Sequence, residues 1–165
     1  MKTIKILAAV VVFIVIGNLR SFAQVSKEDA DLVRAQFGKE KKELVSAVMN
    51  LSGAKADAFW KVYYAYEADR KKLVDVRLGI LNDYLKNYKT MDDTKASSYT
   101  NRAFDNDEGI TRMQRNYYPK FAVAVGPKAA AKFYQLDNYL QTIVKLEIQD
   151  NIPFIGELDH EKVKH

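Results

Sequence analysis

The sequence predicts an all-α fold of four main helices, arranged as two helical hairpins with a long second helix. Proline and glycine are scarce, with three and seven among 165 residues, and residues that favour helices are plentiful. Apolar residues also recur at the three- and four-residue spacing of one helical face. The chain has no cysteine, which excludes disulfides and cysteine-ligated metal sites, so its stability must come from packing.

The amino-terminal segment has the features of a secretory signal peptide. Two lysines precede an apolar run of twelve residues, Ile6–Gly17, and the small residues Ser21 and Ala23 stand where a signal peptidase reads the chain. A membrane span needs roughly 20 apolar residues, so this run is too short to be one. We therefore expect cleavage between Ala23 and Gln24 and a soluble, exported, periplasmic-type product without a transmembrane segment.

The predicted organisation is a signal peptide over 1–23, a single helical domain over 24–155 and a polar tail over 156–165. Cleavage of the leader removes three of the 26 basic residues and leaves 23 against 21 acidic residues. A net charge of about +2 gives no reason to expect a nucleic-acid partner.

Capping residues and prolines divide the domain into helices. The predicted elements are helix one over Lys27–Met49, helix two from a cap at Ser52 to Tyr88, helix three from a cap at Asp92 or Asp93, and helix four from Pro127 to just before Pro153. Helix three contains a polar gap at Asn106 and Asp107, followed by Gly109, where we expect a weak point or bend. Pro119 lacks a backbone donor and predicts a kink or a split in the same helix.

Two helix starts, residues 51–62 and 125–136, can be superposed with an offset of 74 residues. Both contain an apolar residue, a two-residue cap and a Phe-aromatic pair, and each half would form a helical hairpin. Any amphipathic helix after a cap gives a similar pattern, so the repeat stays one of two interpretations.

Degenerate copies of a Leu-Thr-x-x-Gln motif fall at Leu51–Lys55 and Val125–Ala129, and with them the chain resembles the Spy/CpxP-like periplasmic proteins. The resemblance implies a cradle-shaped, often dimeric helical protein. It also implies an ATP-independent chaperone or an envelope-stress sensor partner, whose ligands are non-native or envelope proteins. In some relatives it implies zinc binding.

Helix two carries the candidate binding surface, because its apolar residues cover an arc of roughly 200°, wider than a surface helix needs. The first stripe consists of Phe59, Val62, Tyr66, Leu73, Ile80 and Tyr84. The second stripe consists of Trp60, Tyr64, Val74, Leu78, Leu81 and Leu85. We expect the first stripe to face the core and the second to face a partner, with Arg70 and Arg77 projecting between them.

The candidate polypeptide-binding residues are therefore Trp60, Tyr64, Arg70, Arg77, Leu78 and Leu81. An apolar surface with cations among its residues suits non-native polypeptide, which exposes both apolar groups and carboxylates. The alternative is that helix two is buried on most sides and that the arginines pair with Asp105, Asp107 or Asp137 from neighbouring helices.

Catalysis and cofactors are not expected. The chain has no cysteine, and its two histidines, His160 and His165, lie on the predicted tail, so the usual nucleophile and base pairs cannot be assembled. The same two histidines are the weak candidates for a divalent metal site. Two further functions remain open, a metal-binding or metal-responsive periplasmic protein and a structural envelope interaction module.

Overall fold

The computed structural model describes residues 39–153 and Ile155. Helix α1 includes residues 39–49, and it is followed by α2 over Gly53–Asn87, a short 3₁₀ turn over Tyr88–Thr90, α3 over Asp93–Val125 and α4 over Pro127–Asn151. The described residues contain no strand, and the all-α prediction is confirmed. At about 1.5 Å per residue, the 35-residue α2 is roughly 50 Å long. The predicted signal peptide and polar tail lie outside the described residues.

The helix ends follow from local chemistry. Asp92 caps α3, because its Oδ1 accepts a hydrogen bond from the backbone nitrogen of Lys95 at 2.8 Å. Ser52 occupies the cap position of α2 but makes no side-chain capping bond. Gly126 separates α3 from α4 with a φ of 90°, a conformation that favours glycine, and Pro127 follows at the first helical position.

Helix α3 runs without interruption through Pro119, so the predicted split is wrong, and the predicted kink stays a prediction. The polar gap around Asn106 and Gly109 in the same helix is where α3 contacts α2. The Asn106 side-chain nitrogen donates to the backbone carbonyl of Leu73 at 2.9 Å, and a Cβ on Gly109 would lie 3.1 Å from a Leu73 methyl group. A polar residue and a glycine therefore allow α2 and α3 to approach closely at this level.

Helices α2 and α3 pack against each other over most of their length. Contacts from Tyr84 with Tyr99 to Phe59 with Phe121 show that α2 and α3 are antiparallel. Helix α4 lies parallel to α2, since Phe59 contacts Phe133 and Tyr84 donates a hydrogen bond to the carbonyl of Pro153. The most extensive pairing, α2 with α3, joins two different predicted hairpins, and the two-hairpin arrangement stays a prediction.

An aromatic cluster forms the core at one end of the bundle. Phe59 is fully buried, and its ring centroid lies 5.4 Å from Phe121 and 5.3 Å from Phe133. Phe59 and Phe133, which occupy equivalent places in the proposed 74-residue repeat, are thus direct neighbours. The cluster also includes Tyr63, Tyr66 and Tyr117, and it fixes α2, α3 and α4 to one another.

Candidate functional site: the second stripe of helix α2 and a buried ionic cluster

The first stripe of α2 faces the core, as its spacing predicts: Phe59, Tyr66, Ile80 and Tyr84 are buried, and Val62 and Leu73 are partly buried. The second stripe has no buried member. Leu78 and Leu81 are half-buried, as are its other aliphatic members Val74 and Leu85. At about 100° per residue, this row is displaced around the helix axis by roughly 100° from Ile80 and Tyr84. An apolar row on the longest helix is therefore partly open to solvent.

The two aromatic residues at the start of this stripe face α1. Trp60 is half-buried against the aromatic core, whereas Tyr64 is 52 % exposed. The Lys42 ammonium group lies 5.6 Å from the centre of the Trp60 ring and 5.3 Å from that of Tyr64. Both distances are typical of cation–π contacts. A ligand that binds these rings would have to share them with Lys42 or displace it.

Arg70 is engaged inside the molecule. Its Nε and one terminal nitrogen donate to Glu67 Oε2 at 3.1 and 3.0 Å, and its other terminal nitrogen donates to Gln141 at 3.1 Å. The side chain is 13 % exposed. The structure therefore favours the intramolecular alternative for Arg70, although the direct partner is Glu67 of the same helix, and none of the three predicted aspartates. A partner on the same face at i−3 was available to sequence reasoning and was missed.

Arg77 is held more loosely. One of its terminal nitrogens lies 3.8 Å from Asp107 Oδ1, and that nitrogen is buried without a hydrogen-bond partner among the described residues. Asp107 is one of the predicted partners, and its second oxygen lies 3.5 Å from the Lys145 ammonium group. Of the two arginines, Arg77 is thus the more weakly paired, and its side chain is 26 % exposed.

A buried ionic cluster joins three helices at the level of Tyr66. Lys41 of α1 forms ion pairs with Asp137 of α4 and, at 2.8 Å, with Glu67 of α2. The Tyr66 hydroxyl donates to the other Asp137 oxygen at 2.6 Å. The side chains of Lys41 and Asp137 are 0 and 1 % exposed. Together with Arg70, the cluster contains two cations and two carboxylates, and its formal charge is balanced.

The pKa values in the cluster follow this pairing. Burial acts to raise the pKa of Asp137, but the Lys41 ammonium group and the donors Lys41 and Tyr66 outweigh it, so the pKa lies below its usual value. Burial and the neighbouring Asp137 raise the pKa of Tyr66. For Arg70, burial acts most strongly and would lower the pKa, but Glu67, Asp137 and Tyr66 together outweigh it, so the pKa is raised. All three groups therefore keep their usual protonation states near neutral pH.

The sequence held a signal for this cluster that was not used. Lys41 lies four residues before Val45 on the apolar face of its helix, where a solvated lysine is not expected. A cation at a core position predicts a buried acidic partner. The spacing within one helix could not identify that partner, because Asp137 is 96 residues away.

A shallow groove of about 310 Å³ lies between α2 and α3 on another side. In it, the Tyr117 hydroxyl donates to Asp69 at 2.7 Å, and Asp69 also pairs with Lys72 at 2.7 Å. Burial and the Asp69 carboxylate raise the pKa of Tyr117 to about 12. Leu73 and Met113 add apolar surface. The groove is open, its charged groups are already paired, and nothing in it points to a particular reaction.

The described residues contain no group of three histidine, cysteine or acidic side chains that could hold a metal ion. The weak candidates His160 and His165 lie outside the described residues. Within those residues, no helix is both long and apolar enough to span a bilayer.

Comparison of the chain with protein-family models, curated proteins and solved structures gave no match. The function must therefore be argued from the residues themselves.

The contacts of Arg70 lead to a prediction. We expect Arg70→Leu to lower the free energy of unfolding by about 1–3 kcal/mol, because Gln141 and one Glu67 oxygen lose their donor in a largely buried setting. Arg77→Leu should cost less than about 1 kcal/mol, since its single ion pair is long and partly solvated. Urea unfolding followed by circular dichroism measures both. Equal, negligible losses would show that Arg70 is free to serve a ligand.

Proposed function

We propose that this protein is an exported, non-enzymatic helical binding protein that captures non-native polypeptide, in the manner implied by its resemblance to the Spy/CpxP-like proteins. The observation that carries the proposal is the second apolar stripe of α2, which has no buried member. A surface helix needs only one apolar stripe, and this second one is partly exposed. Contiguous exposed apolar surface commonly marks an interaction site.

The binding residues we propose are Leu78 and Leu81, with Arg77 beside them. Apolar side chains of an unfolded client would bury the two leucines, and burial of apolar surface contributes roughly 25 cal/mol per Å². The Arg77 side chain is 26 % exposed, and its ion pair with Asp107 is long, at 3.8 Å, so the guanidinium group could turn toward a client carboxylate or carbonyl. Trp60 and Tyr64 extend the same surface toward α1. Arg70 lies behind this surface, where it hydrogen-bonds Glu67 and does not contact the client.

A test uses the full chain and light scattering from a chemically unfolded enzyme diluted into buffer. We expect the wild-type chain to suppress the scattering. The double variant Leu78→Ser/Leu81→Ser should need about tenfold more protein for the same suppression, because it loses two apolar contacts worth about 1–2 kcal/mol together. The matched control is Tyr139→Ser/Leu146→Ser, which removes two apolar side chains that are 50 and 61 % exposed on α4.

The control variant should suppress scattering as well as the wild type does. A stripe variant with a lowered melting temperature and unchanged capture per folded molecule would show that both leucines belong to the core. If the wild-type chain does not suppress the light scattering of the client, the proposal itself is contradicted. Calorimetric titration with zinc tests the metal-binding alternative independently.

A further inference from the structure

Charge is unevenly distributed along the bundle. The end that contains the aromatic cluster, residues 39–72 and 109–137, carries 13 basic and 6 acidic residues, a net charge of +7. The opposite end, residues 73–108 and 138–153, carries 6 basic and 9 acidic residues, a net charge of −3. No acidic residue occurs between Glu108 and Asp137, a stretch with five cations. The cationic end and the acidic end thus form a dipole along the long axis of α2.

Ion pairs occur at both ends, for example Lys72 with Asp69 at the cationic end. At the acidic end, Arg102 pairs with Asp83 at 2.8 Å and Lys95 lies 3.5 Å from Asp92. At the cationic end, Lys61, Arg115 and Lys128 are exposed and form no ion pair with any residue that the structure describes. Positive charge at this end is therefore not neutralised locally.

Apolar and aromatic groups are also exposed at the cationic end. Val123, in the last turn of α3, is 89 % exposed. Lys120 precedes it by about one turn, and Lys128 follows the Gly126 turn. Tyr118 and Tyr134 are exposed on the same two helices. The contacts of Phe59, Phe121 and Phe133 hold this end together, so the exposed groups sit on a fixed scaffold.

We propose that the cationic end docks on an anionic lipid surface, independently of the polypeptide-binding role proposed above. Lysines near a membrane of phosphate-bearing lipids gain about 1 kcal/mol each. Tyrosine rings favour the headgroup region, and an exposed valine favours the apolar layer beneath it. Val123 argues for lipid over a soluble polyanion, because a phosphate chain has no apolar layer to receive that side chain. The charge dipole would orient the bundle before contact.

The test is cosedimentation of the full chain with vesicles of phosphatidylcholine containing phosphatidylglycerol, beside vesicles of pure phosphatidylcholine. The apolar run 6–17 is common to every variant, so its contribution cancels in the comparison. We expect Lys61→Glu/Lys128→Glu to lower binding to the anionic vesicles by roughly tenfold or more. The matched control, Lys86→Glu/Lys89→Glu, changes the net charge equally with exposed lysines of the acidic end, and it should bind nearly as the wild type does.

Raising the salt concentration should weaken the wild-type binding and shrink the difference between the variants. Val123→Ser should lower binding a few-fold at constant charge. Equal losses in the two charge-reversal variants would show that net charge alone is responsible and would overturn the proposal. Equal binding of the wild type to both kinds of vesicle would also overturn it. If Val123→Ser binds the vesicles normally and soluble polyphosphate displaces the protein from them completely, the ligand would be a soluble polyanion and not a lipid surface.

Discussion

Replacing Lys41 by methionine is expected to lower the free energy of unfolding by about 3–5 kcal/mol, the usual cost of removing one partner of a buried ion pair. Asp137 is 1 % exposed and would keep only its bond from Tyr66 and the influence of Arg70. Urea unfolding followed by circular dichroism measures the loss. The matched control is Lys42→Met, which removes an exposed neighbouring lysine and should cost less than about 1 kcal/mol.

Acid unfolding gives a second measurement on the same pair. The folded pKa of Asp137 lies below its usual value of 3.8, so its contribution to stability is complete above that pH and is lost as the pH falls toward the folded pKa. Without Lys41 the folded pKa rises, and the acid midpoint should move to higher pH.

The double variant Lys41→Met/Asp137→Leu should recover much of the stability lost in Lys41→Met, since it removes the stranded charge and leaves the pair of Glu67 with Arg70 in place. A double variant no more stable than Lys41→Met would show that the stranded Asp137 charge is not the cause of the lost stability.

Replacing Phe59 by alanine is expected to cost about 3–5 kcal/mol, because a fully buried aromatic side chain leaves a cavity that its neighbours cannot fill. The Phe59 ring contacts four other rings, those of Trp60, Tyr63, Phe121 and Phe133. Trp60→Ala should cost less than half as much, because Trp60 is only half-buried. The urea midpoint of each variant, at an unchanged slope, gives the comparison.

Equal and large losses for Phe59→Ala and Trp60→Ala would contradict the division of α2 into a core stripe and an open stripe. The proposed client surface would then lose its main support. Tyr64→Ala offers a further control, since Tyr64 is more than half exposed and should change stability by less than about 1 kcal/mol.

Much of the helical architecture could be predicted from local sequence. The end of helix one at Met49, the cap at Asp92 and the start of α4 at Pro127 all lie where they were expected. Helix α2 ends one residue before the predicted Tyr88. These features depend on residues within one or two turns of each other, as capping bonds and the fixed φ of proline do.

The candidate site could be predicted only in part. The apolar spacing of α2 separated buried Ile80 from half-buried Leu78, since both follow from one helix's own period. The same spacing could not show whether the Arg70 side chain would be available to a ligand or paired with another residue of the protein. The ion pair with Glu67 on the same helix and the hydrogen bond to Gln141 of α4 decided that question.

By itself the sequence determined where the helices of this protein begin and end and which face of α2 is buried, because backbone capping and helical periodicity act within a few residues. Only the tertiary structure decided the partners of buried polar groups. Lys41 meets Asp137 across 96 positions, and Asn106 bonds to the Leu73 carbonyl across 33. A buried charge or amide must find a partner wherever the packing brings one, and no local spacing encodes that distance along the chain.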